Sequence, residues 1–338
     1  MKWFCIASLS PLALIGAGCF WGGYWSLLAL IYMTVLVFLL DRIARQIPSV
    51  KLGPLADLLS IALVLGHLAL LLIGMPAILR MGWEETLPVV LAMGLFMGQV
   101  SHPNAHELIH HPRRRMRRLG SLIYTTMLIG HHVSAHLRVH HTQVATSDDP
   151  NTARRGEGFY RFLLRAWLGS FRAGLRADNR ARTRKSVPPT AWSHPYVGYC
   201  GGASFALILA TVAGGAPLLV LFLLLTGYAQ VQIFLADYVQ HYGLQRAMTE
   251  SGRVEPVGPG HSWNAPHWYS SAMMLNAPRH SDHHLHPQRR YPELELRRDM
   301  PVLPYALPVM AAIALLPPLW RRVMARRLAR LEKTDTVA

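Results

Sequence analysis

The sequence predicts an all-α integral membrane protein: six transmembrane helices with a cytosolic, histidine-rich helical cap holding a dimetal site. Three observations predict it. Of 338 residues, 51% are hydrophobic and only 15% charged, well short of the quarter or so usual in soluble domains. Uncharged stretches recur at about the 20-residue length of a bilayer-crossing helix. The 18 histidines equal the aspartates and glutamates combined, and many fall in four short motifs.

Residues 4–40 run almost without charge and are too long for one span. "WGGYW" at 21–25 is a natural turn, giving spans near 4–21 and 24–40. The start resembles a signal peptide, but another apolar span follows at once, so a retained helical hairpin is expected. Further spans are predicted at 56–79, 85–103, 197–213 and 216–240, the last two divided by "GGAP" at 214–217. The weaker stretches 119–133 and 302–320 are expected to be interfacial or partly buried helices. No internal repeat divides the chain, so 1–338 is expected to form a single membrane domain. Its cytosolic metal-binding segments would be 104–196 and 241–300, with a basic C-terminal tail at 321–338 and disorder in the closing "EKTDTVA".

Charge distribution tests the topology. With the N-terminus in the cytosol, 33 of the 34 lysines and arginines lie inside, and only Arg80 lies outside. This is the positive-inside pattern. It accounts for the net charge of +16 without nucleic acid, and it puts both termini on the cytosolic side of an inner membrane. Three cysteines (Cys5, Cys19 and Cys200) without a CxxC argue against a disulfide framework, a zinc ribbon or an attached iron–sulfur domain.

The motifs are "HELIHH" (106–111), "HLRVHH" (136–141), "QHYG" (240–243) and "HSDHH" (280–284). All four lie on the predicted cytosolic side at similar depth. Residues three or four apart share a helix face, so His106/His110, His136/His140 and His280/His284 are expected to pair, with His283 beside His280 and His141 beside His140. Imidazole suits iron, zinc, copper and nickel. Nine well-placed histidines (His106, His110, His136, His140, His141, His241, His280, His283 and His284) are too many for one ion and suit two. "HELIH" by itself is also the zinc-protease pattern, with Glu107 as general base. That reading needs one zinc and leaves most of the other histidines without a task. A metal transporter would place polar ligands near mid-membrane, where these spans have almost none.

The chain resembles the membrane-bound alkane 1-monooxygenases, within the integral-membrane fatty-acid desaturase and hydroxylase superfamily. "HELIHH", "AHLRVHH", "DYVQHYGLQR" and "NAPRHSDHH", followed by "PQRRYPEL", carry the resemblance over about residues 95–300. It implies a non-heme diiron centre ligated by the nine histidines, O2 activation, and hydroxylation of a terminal methyl on an alkane or similar lipophilic chain drawn from the bilayer. It also implies electrons from a rubredoxin- or ferredoxin-type partner; an arginine-rich cytosolic face would attract an acidic carrier. A lipid desaturase of the same superfamily would share the ligands. The chain departs from the family pattern at Ala135 (glutamate there), Val139 (glycine) and His111 (lysine), and "NAP" stands for "LQ" before the last box. These departures put the substrate in doubt rather than the ligands.

Metal-bound histidines usually donate their second nitrogen to a carboxylate or carbonyl. Glu107, Asp237 and Asp282 are the expected partners, with Asp237 one helical turn before His241. Asp148, Asp149 and Glu293 are equally read as capping or surface groups. His286 and His111 are the most plausible additional ligands, while His67, His131, His132, His194 and His267 are expected to be structural.

Overall fold

A computed structural model describes residues 1–43, 49–184 and 190–335. Among these the chain is helical, with no β-structure beyond two isolated bridges. The first three apolar helices are α1 (Lys2–Trp21), α2 (Gly23–Leu40) and α3 (Pro54–Ile78). Next, α4 begins as Trp83–Phe96 and runs through a π-helical turn, Met97–Ser101, into His102–Ile109. A shorter helix α5 (Arg114–Thr126) precedes α6, which is built from His132–Ala135, a π-turn over His136–His140, and His141–Gln143. The amphipathic α7 (Phe159–Thr183) leads to α8 (Pro195–His241). Four short or peripheral helices close the chain: α9 (Trp268–Met273), α10 (His280–Leu285), α11 (Leu307–Ala314) and α12 (Pro317–Asp335).

Among the described residues, four helices are long and apolar enough to cross a membrane: α1, α2, α3 and α8. The expected fourth span lies on α4, divided by its π-turn. The expected fifth and sixth lie on α8, which leaves helical geometry at Gly214 (φ −153°) and Gly215 (φ +64°). A positive φ at Gly215 costs glycine little and other residues much. The first hairpin also turns on glycine: Gly22 and Gly23 have φ +58° and +51°. The Glu85 carboxylate accepts the Gly23 N–H at 2.7 Å, and a Cβ on Gly22 would collide with that carboxylate.

The stretch 119–133 is the end of α5 and its return into α6, and 302–320 holds α11. The C-terminal segment departs from the expected tail. Residues 321–335 continue α12, anchored by buried Trp320, Met324 and Leu328; a buried apolar stripe of this kind is what makes a helix of an arginine-rich sequence. Of the closing seven residues expected to be disordered, 332–335 are helical and 336–338 lie outside the described residues.

Candidate metal centre

The four motifs converge. α4 brings His106 and His110, α6 brings His136, His140 and His141, the end of α8 brings His241, and α10 brings His280, His283 and His284. Two groups result: His106, His110, His136 and His283, and His140, His241, His280 and His284. His141 joins the first, its Nε2 lying 3.1 Å from His110, 2.9 Å from His136 and 3.2 Å from His283. It also borders the second, with its ring centroid 4.8 Å from that of His284. All nine predicted histidines are therefore gathered, five in one group and four in the other.

The pairing within the second motif differs from expectation. His136 and His140, four apart, fall in different groups, and His136 faces His141, five apart. The π-turn over His136–His140 is the cause. It closes hydrogen bonds between residues five apart, which widens each turn and rotates His140 away. On α10 the ordinary spacing holds: His280 and His284 approach at 3.1 Å, while His283 turns to the other group.

The donor set fits metal ions. Nε2 atoms face one another at 2.9–3.2 Å. Tetrahedral ligation at about 2.0–2.1 Å would hold nitrogens about 3.3 Å apart. Nε2 of His106 and of His140 is buried without a hydrogen-bond partner, a costly arrangement unless something accepts the lone pair. Burial, and then repulsion between neighbouring imidazoles, holds His136, His283 and His284 well below histidine's ordinary pKa. They are kept neutral, as ligands must be.

Of the carboxylates, Asp149 meets the site most directly. It accepts the His140 Nδ1–H at 2.8 Å. The Thr152 hydroxyl and the Asn151 backbone N–H hold it in place. His140 is desolvated by burial, yet the Asp149 charge outweighs this and raises its pKa. The three expected partners act elsewhere. Asp237 accepts from the Asn151 amide at 2.6 Å, and His241 meets the Ser262 hydroxyl at 3.5 Å and the His261 backbone rather than a carboxylate. One turn of helix brings Asp237 near His241 in sequence but points its carboxylate at the 149–152 loop. Glu107 binds the Arg290 guanidinium and the Tyr291 N–H. Asp282 binds His286, Arg289 and the Glu295 N–H.

The two candidate additional ligands are likewise engaged: His286 with Asp282, and His111 with Asp57 at 3.3 Å. His67 hydrogen-bonds Ser101 and Thr126, and His131 packs on Trp167 and Phe171. His102 receives the Tyr124 hydroxyl at 3.0 Å.

Two positioning residues were not singled out in the sequence. Asn264 accepts the Ser281 N–H at 3.0 Å and donates to the Ser281 hydroxyl and the Pro301 carbonyl, seating α10. Arg290 ties Glu107, within the first motif, to Asp57 on α3. Ala135 is buried against α7. A Cβ on Gly174 of α7 would lie 3.0 Å from the Ala135 backbone nitrogen, so the two helices meet at their backbones here.

An apolar cavity of about 370 Å³ lies among α3, α5 and α8, with Leu71, Met75, Thr126, Phe205 and Phe222 in its wall. None of the nine histidines lines it. Thr126 connects it toward them, because His67 bridges Thr126 to Ser101 at 3.0 Å each way.

The fold and site define a helical, membrane-type protein with two adjoining all-histidine groups that could each hold a metal ion. Residues 82–314 match the fatty acid desaturase family, and the chain belongs to it. Alkane 1-monooxygenase 2 of Pseudomonas aeruginosa is 31% identical over 72% of this chain and 65% of its own length. Alkane 1-monooxygenase 1 of Alcanivorax borkumensis is 34% identical over 73% and 61%. The chain thus spans somewhat under two thirds of these relatives. The hydroxylase component of the xylene/toluene monooxygenase of Pseudomonas putida is 26% identical over 96% of this chain and 88% of its own.

Proposed function

We propose that this chain is a six-span, non-heme diiron monooxygenase that hydroxylates the terminal methyl of an alkane or similar lipophilic chain. The observation that carries the reading is the pair of adjoining all-histidine groups at the end of an apolar helical bundle. The balance is R–CH3 + O2 + 2 e− + 2 H+ giving R–CH2OH + H2O, with the electrons from a rubredoxin- or ferredoxin-type donor. His106, His110, His136, His141 and His283 would hold one iron, and His140, His241, His280 and His284 the other. When bound, the irons supply the O2 chemistry needed to oxidise an unactivated C–H bond. The protein's part is to position and to keep water out. Asp149 fixes the His140 ring so that Nε2 faces the site, and Asn264 seats the helix carrying three of the ligands. The lysine and arginine distribution supports an inner-membrane placement with the site and both termini cytosolic.

Elemental analysis of detergent-purified protein tests the metal. About two irons per chain support the reading; a single zinc after iron-replete expression overturns it. Product mass then separates an alkanol from the alkene a desaturase would make. A second substrate class, a methyl group on an aromatic ring, is favoured by one observation: the similarity to the xylene/toluene hydroxylase component extends over nearly the whole chain. Competition between octane and para-xylene decides between them.

A further inference from the structure

The outer face of α12 is cationic. Arg321, Arg322 and Arg326 are exposed and form no ion pair among the described residues. The helix's inner face is already used: Trp320, Met324 and Leu328 are buried. Exposed leucines occur just before and at the start of α12, at Leu315, Leu316 and Leu319, and no large apolar residue is exposed on it beyond Leu319. A helix that lies on lipid keeps an apolar face for the acyl boundary. Past its first turn, this one has given that face to the protein.

What α12 packs on is informative. The Trp320 ring lies 5.2 Å from both Tyr238 and Tyr242. Tyr242 directly follows His241. Leu328 lies against Gly243, where a Cβ would approach it to 2.9 Å. Beside this contact opens a cleft of about 660 Å³ lined in part by Gly243, Leu244, Pro259 and Leu328. Its acidic members are already paired, Glu255 with His261 and Asp299 with Arg297. Closely packed side chains and two residues of backbone therefore separate an exposed basic surface from His241.

We propose that the arginine face of α12 and the adjoining cleft dock a small acidic one-electron carrier protein, and that electrons enter the histidine site through Trp320, Tyr242 and His241. The proposal rests on the monooxygenase reading. Each docked carrier is oxidised by one electron and leaves, so two docking events supply the two electrons of one hydroxylation. Arginine suits such a surface because its planar fork pairs with carboxylates, and complementary charge raises the encounter rate at low salt.

The test is the triple variant Arg321→Glu/Arg322→Glu/Arg326→Glu in the full-length, metal-loaded protein, with reduced rubredoxin as the probe. The KM for rubredoxin rises about tenfold or more at low ionic strength, and the steep salt dependence of the wild-type rate flattens. Reduction of the metal by dithionite through methyl viologen, a small diffusible mediator, is unchanged. An unaltered KM and salt dependence overturns the proposal. So does equal loss of both reduction routes, which marks α12 as structural. Loss of binding to phosphatidylglycerol vesicles with an unaltered rubredoxin KM also overturns it and makes the face a lipid contact. Failure of the underlying reading looks different: the wild-type protein then yields no hydroxylated product with either reductant.

Discussion

Asp149 accepts a 2.8 Å hydrogen bond from His140 Nδ1, leaving that ring's Nε2 buried among His241, His280 and His284. The contact sets the tautomer and orientation of one imidazole in the four-histidine group. Asp149→Asn keeps an acceptor but removes the charge, and Asp149→Ala removes both. The Ala variant is expected to lose about 10–100-fold in metal affinity, and the Asn variant less. Chelator competition on purified protein measures both.

His283 and His284 are neighbours in sequence but serve different groups. His283→Ala and His284→Ala are each expected to lower metal content from about two ions per chain toward one, and to abolish turnover. Full metal occupancy with full activity in either variant removes that residue from the ligand set.

Arg290 and Glu107 form an ion pair whose side chains are only 9% and 10% exposed. Removing one partner of a buried pair leaves a stranded charge and costs about 3–5 kcal/mol. Arg290→Met is therefore expected to lower thermal stability in detergent markedly. The double variant Arg290→Met/Glu107→Gln, which strands no charge at position 107 and leaves Asp57 its Arg113 partner, is expected to recover much of the loss.

Burial lowers the His131 pKa from 6.5 to about 4, and burial with mutual repulsion also holds those of His136, His283 and His284 well below 6.5. The unfolded chain binds these protons near pH 6.5, whereas the folded apoprotein does so only at lower pH. Stability is thus fully present above pH 6.5 and falls with pH below it, by about 1.4 kcal/mol per unit for each such group until its folded value is reached. A thermal-unfolding series on apoprotein between pH 7.5 and 5 is expected to show this slope. His136→Gln, which removes one of the groups, is expected to make it shallower.

Ala206 lines the apolar cavity among α3, α5 and α8. If substrate tails occupy that space, Ala206→Phe shortens the longest alkane accepted while leaving metal content unchanged. An unchanged chain-length profile assigns the cavity to lipid instead.

The sequence by itself determined the apolar helices, the glycine turns at 22–23 and 214–215, and the identity of the nine gathered histidines. Each of these rests on local chemistry: hydrophobic run length, the freedom of glycine, and residue type at short spacing. What the tertiary structure decided was how the histidines divide and what supports them. An i,i+4 rule assumes α-helical pitch, and the π-turn over His136–His140 breaks it, sending His140 to one group and His136 with His141 to the other. Helical spacing also suggested Asp237 for His241, but the direction of a carboxylate depends on what packs against it, and the loop after α6 brought Asp149 and Asn151 instead. The basic C-terminal segment read as a tail because arginines are threaded all through it. Trp320 just before it, and Met324 and Leu328 within it, recur four apart and find a buried seat beside Tyr238, Tyr242 and Gly243. That seat is assembled from elements far away in the chain, so only the folded protein could make the segment a helix against the site.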